Sequence, residues 1–365
     1  MRTLFDKIKI NQMELKNRFV RSSTWENMAD EKGHLTEKLF NVYENLAKGQ
    51  VGLILTGYAF VMENEQPNPG MMGIYDDSFI EEYKKLTDMV HSYDSKIVLQ
   101  IAYGGTQTRY NTDNRVIWGP SAVPEMETGV VAKEMSKKDI EMLIKAFGDA
   151  AARAKASGFD GVQIHAAHGY LLSQFLNPYH NQRNDEYGGR IENRARIIFE
   201  VYDEIRKRVG NDYAVLIKIN CQDFVEKGLT FKESMYVCKE LDKKGIDAIE
   251  VSGGTWAAKK LGFRRLNINS SDKEAYFKSY AAQIAKEIKA PVILVGGLRS
   301  IETMERILAE TEIDYFALSR PLIAEPDLIK RWYEGVRTKA KCISCNRCQT
   351  PEGIICFFNR YKLRY

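Results

Sequence analysis

Eight short apolar segments, each followed by a segment with helical periodicity, restrict the fold of this sequence more than any other feature. The apolar segments are continuous and rich in β-branched residues, which is typical of strands buried on both faces of a parallel sheet. They lie at residues 18–23, 51–57, 96–102, 161–165, 214–220, 247–253, 291–297 and 313–319. The helical segments lie at residues 36–48, 79–93, 140–156, 191–208, 231–243, 273–288, 301–309 and 326–335.

This alternation predicts an α/β protein. Eight strand–helix units without a spare strand close most naturally into a (β/α)8 barrel, and a doubly wound open sheet is the alternative. We expect the barrel to span residues 1–335 and a short Cys-rich extension to cover residues 336–365. In a barrel, the residues that follow the strands share the face where ligands bind.

The charge distribution argues against some classes of partner. The 53 basic and 49 acidic residues give a net charge of +4 without a block of like charge, so nothing indicates nucleic acid or a membrane surface. The N-terminal segment lacks the apolar run of a signal peptide, and no segment approaches the ~18 uninterrupted apolar residues of a membrane span. We therefore expect a soluble cytoplasmic protein.

The fourth apolar segment runs directly into clustered titratable side chains. His165, His168 and Tyr170 follow it, and a long polar, Gly-rich loop comes next. Two of the five histidines and a tyrosine at one strand end predict a catalytic group. The alternative is that the histidines are capping or core residues and that the tyrosine only packs.

The ends of the last two strands carry groups that suit an anion. Gly296 and Gly297 let backbone amides approach phosphate oxygens, and Arg320, next to Ser319, can bind them. Barrels commonly bind phosphate at this place. The alternative is a tight turn at the glycines and a surface ion pair for Arg320.

Two polar side chains interrupt otherwise apolar strands. Gln100 lies in the third strand and Lys218 in the fifth. Buried polar groups need partners, and a flat heterocycle with carbonyls and ring nitrogens would supply them. With the phosphate site, these residues predict a phosphorylated, planar cofactor at the barrel mouth.

At this point the sequence shows a family resemblance. HAAHGYLLSQFLNPYHNQRNDEYGGRIENRAR, at residues 165–196, resembles the signature of the Old Yellow Enzyme family, the FMN-dependent NAD(P)H:flavin oxidoreductases that fold as (β/α)8 barrels. Supporting matches are NRFVRSS (17–23), GLILTGYA (52–59), WGPSAV (118–123), LVGGLRS (294–300) and ALSRPLIAEPDL (317–328). The resemblance covers residues 1–335.

The resemblance implies a role for each matching residue. His165 and His168 would hydrogen-bond a substrate carbonyl or phenolate, and Tyr170 would donate a proton. NADH or NADPH would reduce FMN, and the enzyme, expected to be a homo-oligomer, would reduce the C=C bond of an α,β-unsaturated carbonyl compound. Trp25 stands where many relatives carry a Thr or Cys that hydrogen-bonds the flavin. The implied FMN-binding residues are Ser22, Ser23, Thr24, Tyr58, Gln100, Lys218, Gly296, Gly297, Ser319 and Arg320.

Four of the six cysteines crowd near the C-terminus. Cys342, Cys345, Cys348 and Cys356 follow the spacing C-x2-C-x2-C-x7-C. Four thiolates suit a [4Fe-4S] cluster or tetrahedral zinc, and free thiols are the third possibility. The segment resembles the cluster-binding part of the trimethylamine dehydrogenase and 2,4-dienoyl-CoA reductase group, although its last gap is shorter. A cluster would favour an FMN/iron-sulfur amine dehydrogenase or demethylase, or a flavoprotein subunit that passes electrons to a protein partner.

Overall fold

The computed structural model describes residues 2–359, in which eight parallel strands form a closed barrel. Each strand pairs with the next, and the eighth closes the ring by pairing Phe316 with Phe19 of the first. The predicted (β/α)8 fold is therefore confirmed and the open sheet is excluded. The strands are Phe19–Arg21, Leu53–Leu55, Lys96–Ala102, Gly161–Ala166, Ala214–Asn220, Ala248–Ser252, Val292–Val295 and Tyr315–Leu318.

A helix follows each of these strands and packs an apolar face on the barrel. Ser136 and Thr230 begin two of them with reciprocal capping boxes, in which Asp139 and Glu233 return the hydrogen bond. Within residues 2–359 the eight helices are Glu37–Lys48, Phe79–His91, Lys137–Ala156, Arg196–Val209, Phe231–Lys244, Lys278–Glu287, Ile301–Glu310 and Leu328–Tyr333.

Shorter elements decorate the barrel. Additional α-helices are Leu171–Leu176, Ile191–Arg194 and Arg320–Ala324. Turns of 3-10 helix are Glu63–Glu65, Thr112–Asn114, Trp256–Leu261, Ser271–Lys273 and Phe357–Asn359. Short strands outside the barrel are Ile8–Ile10, Met13–Leu15, Ala59–Phe60, Met72–Gly73, Trp118–Gly119, Lys133–Glu134, Gln349–Thr350 and Gly353–Ile354.

One end of the barrel is closed by the apolar side chains of a hairpin, which we call the apolar plug. The hairpin of Ile8–Ile10 and Met13–Leu15 lies across it, and Ile10 packs into a buried cluster with Val20 and Leu53 from the barrel strands. Burial of these side chains removes apolar surface from water at the amino ends of the strands. The carboxyl ends are thereby left as the end that can carry polar groups.

The helix after the sixth strand begins later than its sequence pattern predicts. The pattern indicates residues 273–288, whereas the helix spans Lys278–Glu287. The Glu274 carboxylate accepts hydrogen bonds from the backbone amides of Arg299 and Ser300, at 2.8 and 3.0 Å, which holds this stretch against the seventh strand's loop. Ala275 has a left-handed backbone, φ 53°, which interrupts any helix across it.

The C-terminal segment folds back onto the barrel mouth. The Ala340 amide donates to the Arg299 carbonyl at 2.9 Å, and the Ile354 amide donates to the Glu26 carbonyl at 2.9 Å. Residues 360–365 of the predicted extension lie outside the described residues, and the domain boundary at residue 335 stays a prediction. No helix in the described part of the chain is both long and apolar enough to cross a membrane.

The apolar plug should contribute to stability without affecting the mouth of the barrel. We expect Ile10→Ala to lower the free energy of unfolding by about 2–4 kcal/mol, because it leaves a cavity in a fully buried cluster. Urea denaturation followed by circular dichroism measures this change. Lys9→Ala, at an exposed position of the same strand, is the control and should change stability by less than about 0.5 kcal/mol. Equal effects of the two substitutions would contradict a stabilising role for the plug.

Candidate active site

The carboxyl ends of the strands surround a cavity of about 690 Å³. This volume lies within the range of small-molecule and cofactor sites. All ten predicted FMN-binding residues line the cavity, together with His165, His168, Tyr170 and one of the four tail cysteines, Cys348. The structure therefore brings the predicted catalytic and cofactor residues to one place, while their individual roles stay predictions.

A buried ion pair lies at the floor of this cavity. The Lys218 ammonium is 3.1 Å from a carboxylate oxygen of Glu250 and donates to the Ser22 hydroxyl at 2.9 Å. Lys218 is 3 % exposed and Glu250 is fully buried. A buried charge is costly unless it is paired and hydrogen-bonded, so Glu250 is the residue that permits Lys218 to lie here.

The polar layer continues through three amide and hydroxyl side chains. Gln163 donates to Glu250 at 2.9 Å, Gln100 donates to Gln163 at 2.6 Å, and the Ser23 hydroxyl donates to Gln100 at 2.8 Å. Sequence reasoning missed Gln163 and Glu250, although each is a polar residue inside an apolar strand. The inference that Gln100 and Lys218 depend on a bound heterocycle for partners was incomplete, since the protein already supplies partners to both.

The two histidines lie side by side and are held neutral. Their ring centroids are 5.4 Å apart, and the Nε2 atom of His168 lies 2.7 Å from the Ser252 hydroxyl. Burial lowers the pKa of both imidazoles well below the usual range, and the positive charge of Lys218 acts in the same direction. Within the described chain, the Nδ1 atom of His165 is buried without a hydrogen-bond partner.

His168 has a backbone conformation that is unusual for its residue type. Its φ is 63°, in the left-handed region, and the following Gly169 has φ 85°. The His168 amide donates to the side-chain oxygen of Asn220 at 3.2 Å, which helps to hold the turn. A non-glycine residue in this region costs roughly 1–2 kcal/mol, so the fold stabilises a strained turn that places the imidazole on the cavity.

Tyr170 shares its hydroxyl with a second tyrosine. The Tyr58 and Tyr170 hydroxyl oxygens are 2.6 Å apart, and the Asn68 amide donates to Tyr58 at 2.7 Å. Burial is the main cause that raises the pKa of Tyr170 to about 12, and burial also raises the pKa of Tyr58 well above its usual value. Tyr58, predicted to bind FMN, therefore lies beside the predicted proton donor, and sequence reasoning missed Asn68.

The other end of the cavity holds the predicted phosphate residues. Gly296 and Gly297 have φ 121° and 73°, and a Cβ on either would lie 2.8 Å from the ring of Tyr276. Arg320 donates through Nη1 to the carbonyl of Arg265 at 2.8 Å. Only glycine is compatible with both the backbone and the aromatic contact at these two positions.

These features match the requirements of a flavin mononucleotide. The floor offers amide, hydroxyl and ammonium groups to a planar ring. Within the described residues, the buried Nδ1 atom of His165 has no hydrogen-bond partner. Arg320 and the glycine turn offer a cation and backbone amides to phosphate. The residues present therefore suit FMN in both its polar ring and its phosphate.

The four cysteines of the tail lie near one another. Cys342 and Cys356 are buried in one small cluster with Ala324. Burial raises the pKa of Cys348 to about 11, and the three neighbouring thiols add to this effect. Residues 2–359 contain no group of three or more His, Cys, Asp or Glu side chains placed to hold a metal ion. The predicted iron-sulfur or zinc site stays a prediction, and no step below depends on it.

A closed barrel whose mouth combines a glycine turn, an arginine, a polar floor and two buried histidines is the arrangement expected of a flavin-binding protein. The model of the NADH:flavin oxidoreductase / NADH oxidase family matches residues 3–339, so the chain belongs to that family. Membership confirms the resemblance found in the sequence and, with it, the FMN cofactor.

Individual proteins are also similar to this chain in sequence or in structure. The chain is 35% identical to an NADPH dehydrogenase of Bacillus subtilis over 326 residues, 89% of this chain and 92% of the relative. It is 32% identical to a cinnamate reductase of Clostridium sporogenes over an alignment of 367 positions that covers 94% of this chain and 55% of the relative. The structure of a 2-naphthoyl-CoA reductase in complex with 2-naphthoyl-CoA superposes with a TM-score of 0.88, at 28% identity, over 95% of this chain and 54% of that one. The chain spans about half the length of the first curated relatives that it matches.

The buried ion pair gives a prediction for stability. We expect Glu250→Gln to lower the free energy of unfolding by about 3–5 kcal/mol, because the ammonium of Lys218 is left buried without a counter-charge. Glu240→Gln is the matched control, since Glu240 pairs with Lys243 on the surface, where such a pair is worth about 0–1 kcal/mol. Denaturation of both variants measures the difference. Equal, small losses would show that Glu250 does not compensate Lys218.

The neutral histidines predict a loss of stability in acid. A histidine in the unfolded chain has a pKa of about 6.5, whereas the two buried imidazoles stay neutral below that pH. The unfolded state therefore binds more protons as the pH falls, and the free energy of unfolding decreases. Between pH 7 and 5.5, wild type should lose about 1 kcal/mol more than His168→Asn, which removes one such group. Urea denaturation at the two pH values checks this, and identical losses in the two proteins would refute it.

Proposed function

We propose that this protein is a cytoplasmic, FMN-dependent NAD(P)H oxidoreductase that reduces the C=C bond of α,β-unsaturated carbonyl compounds. The observation that carries the proposal is the placement of two neutral imidazoles and one protonated tyrosine around a single cavity, His165, His168 and Tyr170. A relative named for the reduction of cinnamate supports the substrate class, and the family description supports NADH as a reductant.

The cofactor would supply the hydride. Bound FMN, reduced by NADH or NADPH, would supply the hydride that the β-carbon of an activated alkene accepts. Lys218 and Gln100 would bind the polar edge of the ring, and Gly297 and Arg320 would bind the phosphate. The indole N–H of Trp25 donates to the Pro69 carbonyl at 2.9 Å, so this side chain does not offer the flavin the hydrogen bond that a Thr or Cys would.

The histidines would bind the carbonyl oxygen of the substrate. A neutral imidazole offers one N–H, and two such donors next to each other can stabilise the negative charge that develops on that oxygen. Because burial keeps both rings neutral, their donor capacity should not change between about pH 6 and 8. The nearby ammonium of Lys218 adds a positive potential without transferring a proton.

Tyr170 would protonate the α-carbon. With a pKa of about 12 it keeps its proton at neutral pH, which is the state that a general acid needs. The Tyr58 hydroxyl, 2.6 Å away, can donate a hydrogen bond to the phenolate that remains after the transfer. The pair therefore joins a proton donor to a group that stabilises its conjugate base.

The proton donor can be tested by kinetics of the two half-reactions. We expect Tyr170→Phe to slow the oxidation of reduced flavin by 2-cyclohexenone by about 10²–10⁴-fold, the usual contribution of a general acid. Reduction of the flavin by NADPH should change by less than about threefold, since no proton passes through Tyr170 in that step. Stopped-flow absorbance measures both rates.

A matched control removes a different hydroxyl from the same cavity. Tyr110 lines the cavity, and Tyr110→Phe should leave both rates within about threefold of wild type. An unchanged rate of alkene reduction in Tyr170→Phe would remove this residue from the mechanism. Failure of the wild type to reduce any of a panel of enones and nitroalkenes would overturn the proposed function itself.

Cys348, which lines the cavity, and the three thiols near it are the reason to test a second candidate. An FMN/iron-sulfur amine dehydrogenase or demethylase, or an electron-transferring subunit, would use the tail to pass electrons to a protein partner. We expect FMN with fewer than about one iron per chain if the protein is a self-contained ene-reductase, and about four irons with acid-labile sulfide if a cysteine-bound cluster is present. The assay is made on anaerobically purified protein. Bleaching of the flavin by amines rather than by NAD(P)H would favour the dehydrogenase.

A further inference from the structure

The Cys-rich tail takes part in the cavity wall. Ser344, Asn346 and Cys348 line the cavity together with Arg320. The side chain of Asn346 makes two hydrogen bonds to the barrel: its oxygen accepts from Arg320 Nη1 at 2.5 Å, and its nitrogen donates to the Arg264 carbonyl at 2.9 Å. One amide group therefore joins the tail, the predicted phosphate arginine and the loop after the sixth strand.

Contacts with the protein orient the guanidinium of Arg320 at the wall of the cavity. Nη1 donates to two protein oxygens, those of Asn346 and the Arg265 carbonyl. The Tyr276 hydroxyl also hydrogen-bonds this side chain, so the N–H groups that remain are the ones that can bind phosphate oxygens. Both acceptors on Nη1 are uncharged, so they orient the guanidinium without neutralising it.

We propose that Asn346 is a positioning residue that holds Arg320 toward the phosphate of FMN, so that the tail completes the flavin site. The inference rests on the proposed function, and it deepens it by giving the tail a role that needs no metal. A neutral amide suits this role better than a carboxylate, because a negative charge next to Arg320 would weaken and repel a bound phosphate.

The backbone of the tail restricts which substitutions test this role. Asn346 and Ser344 have φ 57° and 56°, in the left-handed region that asparagine and glycine tolerate best. The Asn267 amide donates to the Ser344 carbonyl at 3.3 Å, which attaches the turn to the barrel. Alanine at position 346 would strain the turn, whereas glycine removes the side chain and aspartate keeps its shape without that strain.

The test compares two ligands that differ only in the phosphate. Full-length protein stripped of flavin is titrated with FMN and with riboflavin, and flavin fluorescence gives each Kd. We expect Asn346→Gly to raise the Kd for FMN about fivefold, as for the loss of one oriented hydrogen bond. Asn346→Asp should raise it about twentyfold through competition for Arg320. The Kd for riboflavin should stay within about twofold in both variants, because riboflavin has no phosphate.

A second asparagine of the tail supplies the matched control. The Asn359 amide donates to the Ala324 carbonyl at 2.8 Å, so Asn359→Gly removes a bond between tail and barrel without touching Arg320. Its Kd for FMN should stay within about twofold of wild type. In an Arg320→Gln background, Asn346→Gly should also change the Kd by less than about twofold, since the group it positions is gone.

The outcomes separate this inference from the proposed function. If Asn346→Gly and Asn346→Asp bind FMN as tightly as wild type, the positioning role is wrong while the flavin site stands. If either variant loses FMN and riboflavin equally, the tail acts on the fold in general and the inference is also overturned. A wild type that binds neither flavin overturns the proposed function together with it.

Discussion

The buried pair of Lys218 and Glu250 is the interaction on which the rest of the site depends. A parallel barrel fills its interior with apolar side chains, and a cation placed there must be paired within the protein. The register of the strands pairs these residues. Lys218 of the fifth strand lies opposite Glu250 of the sixth, and Gln163 of the fourth strand lies opposite Gln100 of the third. The resulting layer gives the cavity a polar floor whose groups hydrogen-bond one another within the protein.

The same burial sets the protonation states that the chemistry needs. Removal from water keeps the imidazoles of His165 and His168 uncharged and keeps the proton on Tyr170. The positive charge of Lys218 favours neutral histidines as well. One physical cause, low solvent access at the carboxyl ends of the strands, thus leaves two neutral imidazoles and one protonated phenol around a single cavity.

Much of this arrangement could be predicted from the sequence, and the rest depended on contacts that a sequence does not display. The third and fifth strands, Lys96–Ala102 and Ala214–Asn220, lie where the apolar runs predict them, because continuous β-branched runs leave little choice of conformation. The partner of Lys218 was missed, since polar residues within strands are visible in the sequence but the register that pairs them is not. The late start of helix Lys278–Glu287 depends on bonds from Glu274 to a distant loop.

The tail shows the same limit. The spacing of its cysteines predicts a metal site, whereas its contact with the cavity depends on a left-handed turn that places Asn346 against Arg320. Nothing in the local sequence reports that contact, because the two residues meet only after the tail returns to the barrel mouth. The barrel, its cofactor and the residues that meet at its mouth were therefore accessible to sequence reasoning, and the supporting contacts were not.

An anaerobic titration decides whether this barrel uses reduced flavin to reduce activated alkenes. FMN-loaded protein is reduced with one equivalent of NADPH, its flavin absorbance is recorded, and 2-cyclohexenone is then added without oxygen. We expect the flavin band to bleach with NADPH and to return on addition of the enone, with saturated ketone as the product. A protein that cannot be loaded with FMN, or a reduced flavin that no enone reoxidises, would contradict it.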